Sequence, residues 1–233
     1  MSTNSTSINI KSTAAEKVAT SEKIMMVIAD RVKELIRQKN VTNNRTDGRP
    51  YYFTTNIDTV VYGRWITIIA IYNDEDNPEI RRFHVDAFQS FTSDVYDRSQ
   101  RGMFKISSNN PGDVSISEFS PYFIQKVSER LPSEDNLEQM TDEELARFLS
   151  KFTASGVINV GETIRKYGAS VTQCATFIPE GELLGHIAID QRYISQRTFV
   201  SRDMMRASDK KLAYELVGKK LEHKEDKPHR YRI

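Results

Sequence analysis

From Ile24 the apolar residues recur three and four apart: Ile24, Met25, Val27, Ile28, Val32, Leu35 and Ile36, with Lys23, Asp30, Arg31, Lys33, Glu34 and Arg37 elsewhere. Positions with that spacing share one face of a helix, so the pattern predicts an amphipathic helix beginning near Thr20. It stops in "NVTNNRTDGRP", where Asn, Asp-Gly and Pro accumulate and no apolar run follows. The character of the chain then changes. "YYFTTN", "DTVVYGRWITIIAIYND" and "IRRFHVDAF" are rich in β-branched and aromatic residues and are punctuated by Gly, Asn-Asp and Asn-Pro, which predicts at least three strands. "MFKISS" and "DVSISEF", split by "NNPG", predict a further hairpin.

Ser120 followed by Pro121 suits an N-cap with proline at the first helical position, and the helix this starts runs until Pro132. Thr141 with Glu144 three residues later matches a capping box ahead of "LARFLSKF". After "IRKYG", Ser170 to Ile178, Glu182 to Ile189 and Tyr193 to Val200 are short strands joined by the turns "PEG" and "DQ", an antiparallel meander. Ser201 is placed to cap a last helix through "MMRASDKKLAYELV". Runs of strands separated by helices, without regular βαβ alternation, give an α+β class. Its sheet is mainly antiparallel, with about six to eight strands and four or so helices packed on it. Residues 1–19 have little to bury and are expected to stay out of the fold. Residues 20–219 are expected to form one α+β domain, and 220–233 a charged, unfolded tail.

Composition narrows the function classes. The 33 Lys and Arg nearly cancel the 32 Asp and Glu, so no global field draws the chain to nucleic acid or to an anionic membrane, and any electrostatic site must be local. One cysteine, Cys174, makes no intramolecular disulfide and no thiolate zinc cage, which points to a reducing compartment and a cytoplasmic location. The longest apolar run, "WITIIAIY", is too short to span a bilayer, and no signal peptide is expected. His84, His186, His223 and His229 show no ligand spacing, and the glycine-rich loops of common nucleotide enzymes are missing. No metal or cofactor is expected.

Three constellations carry candidate chemistry. Residues 81–105 interleave Arg81, Arg82, Arg98, Arg101 and Lys105 with Phe83, Phe88, Phe91, Tyr96 and Phe104, the mixture that positions phosphates and stacks bases. Lys126 and Arg130, on the helix after Ser120, extend that candidate surface. The same helix, "SPYFIQKVSER", resembles the His-x-x-x-Arg-x-x-Glu-Arg helix of some small bacterial ribonuclease-toxin families over about a dozen residues. Tyr122 stands in place of the His and Lys126 in place of the Arg, a departure that removes the proton-transfer group. Finally, a three-residue loop centred on Glu180 would set Phe177 opposite Leu183 and Cys174 opposite His186. It would gather Val171, Ala175, Phe177, Leu183, Ile187 and Ile189 on one face and Thr172, Cys174, Thr176 and His186 on the other.

These readings favour a soluble protein that binds rather than catalyses, through a basic and aromatic surface made from residues 81–105 with Lys126 and Arg130. Its partner is nucleic acid or protein. The alternatives are a metal-independent ribonuclease-like enzyme using the Tyr122 helix, and a structural subunit of a larger assembly such as a virion or mobile element.

Overall fold

A computed structural model describes residues 8–38, 49–73, 81–95, 98–110, 113–131, 136–153, 156–160, 171–188 and 192–223. Among them the chain is an α+β protein with four helices and nine strands, and the sheet pairings given are antiparallel. The loop at 39–48, the Pro111-Gly112 turn, "IRKYG", "DQ" and residues 224–233 lie outside the described residues. The chain gathers into two compact units, to both of which the span 20–219 contributes. Of the described residues, the first holds those up to Gln89 with Lys105–Ile116, and the second Ser90–Phe104 with those from Ser117 to His223.

In the first unit, α1 (Ala14–Gln38) packs on β1 (Tyr51–Thr59). The strand order begins β1, β2 (Gly63–Asn73), β3 (Arg81–Val95), β4 (Arg98–Asn110), β5 (Asp113–Phe119), of which β3 from Ser90, β4 up to Phe104 and β5 from Ser117 belong to the second unit. α1 begins six residues ahead of Thr20, which corrects the expected leader. The Glu16 carboxylate accepts from the backbone and hydroxyl of Thr13, while the Glu16 N–H donates to the Thr13 hydroxyl, a capping box that starts the helix early. Ile8, Lys17 and Val18 are buried with Ile24, Met25, Ile28, Val32 and Ile36, whereas Val27 falls off the stripe and is exposed. β1 and β2 form a hairpin in which Thr59 faces Gly63. Gly63 has φ +67°, the left-handed conformation a three-residue hairpin loop requires, and the loop leaves Val60 and Val61 exposed. Alternation then sends Trp65, Ile69, Ile71, Phe83 and Val85 to one buried face, and Ala70, Tyr72, Arg82, His84 and Asp86 to the other.

The strands wholly within the second unit follow in the order β9 (Tyr193–Ser201), β8 (Gly181–Ala188), β7 (Val171–Ile178), β6 (Val157–Val160). The four-residue β6 was not legible in the sequence, where so short a run is indistinguishable from loop. α2 (Pro121–Arg130) packs on β9 and α4 (Ala207–His223) on β7. Ser120 caps α2 as expected: its hydroxyl accepts from the Phe123 N–H at 3.2 Å. Because both groups are buried, Ser120→Ala is expected to cost about 1–2 kcal/mol in chemical denaturation. A Ser120→Asp variant retaining most of that stability would assign the loss to the cap. The Thr141–Glu144 capping box likewise forms at the start of α3 (Asp142–Thr153). Ser201 does not cap the last helix. It ends β9, residues 202–205 turn, and the first α4 bond runs from Lys210 N–H to Arg206 C=O.

The register between β7 and β8 differs by one residue from the expectation. Ile178 faces Gly181 across a two-residue turn of Pro179 and Glu180, so Cys174 faces Gly185 and His186 faces Gln173. A slip of one exchanges the faces of one strand relative to the other. Cys174 therefore packs with Ile187 and Ile194, while Phe177 packs with Met205 and Val217 against α4. Gly181 is required by close approach, since a Cβ there would lie 2.2 Å from the Val200 carbonyl oxygen.

Candidate functional site

A cation serves an anionic ligand only if its charge is not already met inside the fold, and that criterion separates the seven positions singled out by the sequence. Arg101 donates to the carbonyls of Leu137 and Met140 at 2.8 and 2.7 Å and to Asp142 at 3.1 Å. It fastens the entrance of α3, where Ser90 donates to the same carboxylate. Lys105 is paired with buried Asp86 at 3.1 Å. Lys126 is paired with Glu129 and lies 5.1 Å from the centroid of the Tyr122 ring. Arg82 is buried on β3 opposite Tyr72, and the side chains of Arg81 and Arg98 lie outside the described residues. Arg82 and Lys105 belong to the first unit, and Arg101, Lys126 and Arg130 to the second.

Arg130 is different. At the last turn of α2 it donates to the carbonyl of Phe199 on β9, and it opens onto a groove of about 660 Å3. Leu131, Pro179, Glu180, Ser201, Arg202, Asp203 and Lys210 line the rest of that groove, all within the second unit. Its walls follow from local structure. The Arg202 N–H donates to the Glu180 carbonyl at 2.9 Å, tying the end of β9 to the β7–β8 turn, and the Arg202 guanidinium reaches Pro179 C=O at 3.3 Å. Lys210 donates to the backbone carbonyl of Asp203 at 3.1 Å. Hydrogen bonds from Ser201, then from the Asp203 and Met204 N–H groups, hold the Asp203 carboxyl below its ordinary range, so it braces the turn into α4. All three cations are thus aimed by backbone carbonyls, and among the described residues none makes a salt bridge. Glu129 and Asp203 feel Arg130 and Lys210 only as neighbouring charges. A carbonyl occupies one donor of a guanidinium or ammonium and leaves its net charge intact, so the groove is lined by three cations and two carboxylates, Glu180 and Asp203, with Leu131 and Pro179 supplying apolar surface.

Compared with protein families, curated proteins and solved structures, the chain matches none of them. The site must stand on its geometry.

Sequence reasoning reached Arg130 but not Arg202 or Lys210. One signal was present: Lys210 is the fourth residue of α4, near the positive end of the helix dipole, where a cation is unfavourable and its placement calls for another reason. Cys174 and His186 do not pair. Burial pushes the Cys174 thiol up to about 11, so it stays protonated and packs as a small apolar group. In the first unit, Asp86 accepts from His84 at 3.0 Å and Ser107 at 2.6 Å, both at Oδ1, besides its pairing with Lys105. The serine and histidine converge on one carboxylate oxygen, which is an anchoring arrangement rather than a relay from nucleophile to base. Burial pushes the neighbouring Tyr72 phenol up to about 12, so it offers no base there. Among the described residues no group of three or more His, Cys, Asp or Glu is placed to hold a metal, and no helix is long and apolar enough to cross a membrane.

Proposed function

We propose that this chain is a binding protein that grips the phosphate backbone of a nucleic acid through the groove of Arg130, Arg202 and Lys210. The observation that carries the reading is that these three cations line one groove while each is held by a backbone carbonyl and none is in a salt bridge among the described residues. Phosphates are recognised by positive groups fixed in this way, with three cations here outnumbering the two carboxylates of the lining, and the guanidinium plane suits them best. The ribonuclease-like alternative draws no support from α2: Lys126 is turned to Glu129 and to the Tyr122 ring.

The expected result for Arg130→Gln/Arg202→Gln/Lys210→Gln is weaker binding of a labelled oligonucleotide and a flatter dependence on salt. Three lost phosphate contacts lower the slope of log K against log salt by about two, at roughly 0.7 per contact on a single strand. Arg147→Gln, whose side chain is paired with Glu143 on the exposed side of α3, is the control and leaves the slope as it was. Unchanged affinity and slope in the triple variant would remove the groove from nucleic-acid binding.

A further inference from the structure

β1 stands at one end of the strand order, and among the described residues β2 is the strand it pairs with. Folds protect such an edge with lysine or proline on the strand, with a bulge, or by keeping the strand short. β1 has none of these. Its nine residues, "YYFTTNIDT", contain no Lys, Arg or Pro, and their pairing with β2, from Tyr51 on Ile71 to Thr59 on Gly63, runs without a shift. The same hairpin leaves apolar surface in solvent at both ends: Tyr51 is 42% and Tyr52 61% exposed at its start, and Val61 is 78% and Val60 fully exposed at its tip. These groups are held in place. The Tyr51 ring stacks on Phe53 with centroids 6.1 Å apart. At the tip the Tyr62 N–H donates to the Thr59 hydroxyl at 2.9 Å, and that hydroxyl donates to the Gly63 carbonyl at 3.0 Å. The Trp65 indole and the Gln89 amide both donate to the Tyr62 carbonyl, at 2.9 and 3.3 Å. A surface fixed before binding loses little freedom on association.

We infer that β1 is a dimer interface, at which the β1 of a second copy of this chain adds antiparallel to its outer edge. What selects a second copy is how the two ends of the strand match. Arg49 and Asp58 are the only charged residues from 49 to 63, Arg49 beside Tyr51 and Tyr52 and Asp58 beside Val60 and Val61. Both are exposed, and Asp58, which faces Arg64 of β2, makes no salt bridge among the described residues. Reversing one copy on the other sets each Arg49 end against an Asp58 end. Opposite charges then meet and the tyrosine pair meets the valine pair, twice, as a two-fold axis requires. Parallel pairing would instead put Arg49 on Arg49 and Asp58 on Asp58. Backbone hydrogen bonds along the strand supply the affinity, and its ends fix the direction. This interface is independent of the groove, whose residues all belong to the second unit while β1 belongs to the first.

The test is the mass of the full chain in analytical ultracentrifugation over a roughly hundredfold range of concentration. The parent is expected to pass from one chain to two as concentration rises and to stop there, because an isologous contact closes on itself. Val60→Lys/Val61→Lys places guarding charges at the tip, and Asp58→Arg sets like charges together at both ends of the pairing. Each is expected to raise the dissociation constant by at least about tenfold. All three side chains are exposed, and urea denaturation followed at Trp65 checks that each variant folds as the parent does. Adding Arg49→Asp to Asp58→Arg restores the match of opposite charges and is expected to return the constant to near that of the parent. A parent that stays a single chain throughout overturns the inference, as does a mass that grows past two chains. So does a dimer that neither variant weakens, since its copies would then be joined elsewhere. A charge-swapped double variant as weak as Asp58→Arg alone overturns the antiparallel arrangement.

Discussion

Lys105→Met is expected to destabilise the first unit by about 3–5 kcal/mol at neutral pH, because it leaves the carboxylate of Asp86 buried without its cation. Burial alone would raise the Asp86 carboxyl; the Lys105 ammonium, with the contributions of His84 and Ser107, overrides it and holds the group well below the usual carboxylate range. A carboxyl lowered on folding contributes stability that is complete above the unfolded value of about 3.9 and is lost as pH falls below it. Without Lys105 the folded carboxyl moves up and accepts a proton more readily. The gap between parent and variant should therefore narrow as pH drops from 7 through about 4. Trp65 is the single tryptophan, fully buried in the first unit, so its emission during urea denaturation reads the relevant transition. A loss under about 1 kcal/mol, or a gap that widens in acid, would show that Asp86 does not depend on Lys105.

Deleting residues 1–18 is expected to cost about 3–6 kcal/mol in the same measurement. Ile8 is 1% and Val18 4% exposed, and each aliphatic side chain returned to water costs about 1.5–3 kcal/mol. The deletion also removes Thr13 and Glu16, whose reciprocal bonds start α1, and so leaves the helix to begin without a cap. An unchanged denaturation midpoint would mean that the segment adds nothing to the core and that 1–19 behaves as the leader its composition suggests. The pair Ile8→Ala and Val18→Ala separates the two contributions: if the deletion costs more than the double alanine variant, the remainder belongs to the cap.

Much of the site's framework was legible because it is local. The row of Tyr122, Lys126 and Arg130 follows from helical spacing, and the Ser120–Pro121 start of α2 follows from a hydroxyl three residues from an orphan N–H. The turn that shapes the groove was half legible. Pro179, Glu180 and Gly181 mark a turn in any reading, but whether two or three residues form its loop is a difference of one, and that difference decides which side chains face α4. The structure adds a constraint the turn letters do not carry: Gly181 sits so near the Val200 carbonyl that a side chain would collide, a fact about β9 rather than about the turn.

By itself the sequence determined the α+β class, the mainly antiparallel pairing, the caps of α2 and α3 and the buried stripe of α1 from Ile24 to Ile36, since each is set by residues within a few positions of one another. Only the tertiary structure decided which cations retain their charge. Arg101, Lys105 and Arg130 look alike as letters, but Arg101 meets groups 36 to 41 residues away, Lys105 meets a carboxylate on the neighbouring strand, and Arg130 meets a bare carbonyl 69 residues away. Coulomb energy depends on distance in space and on burial, neither of which sequence separation measures, so the same residue type is a structural clamp at one position and is held only by a carbonyl at another.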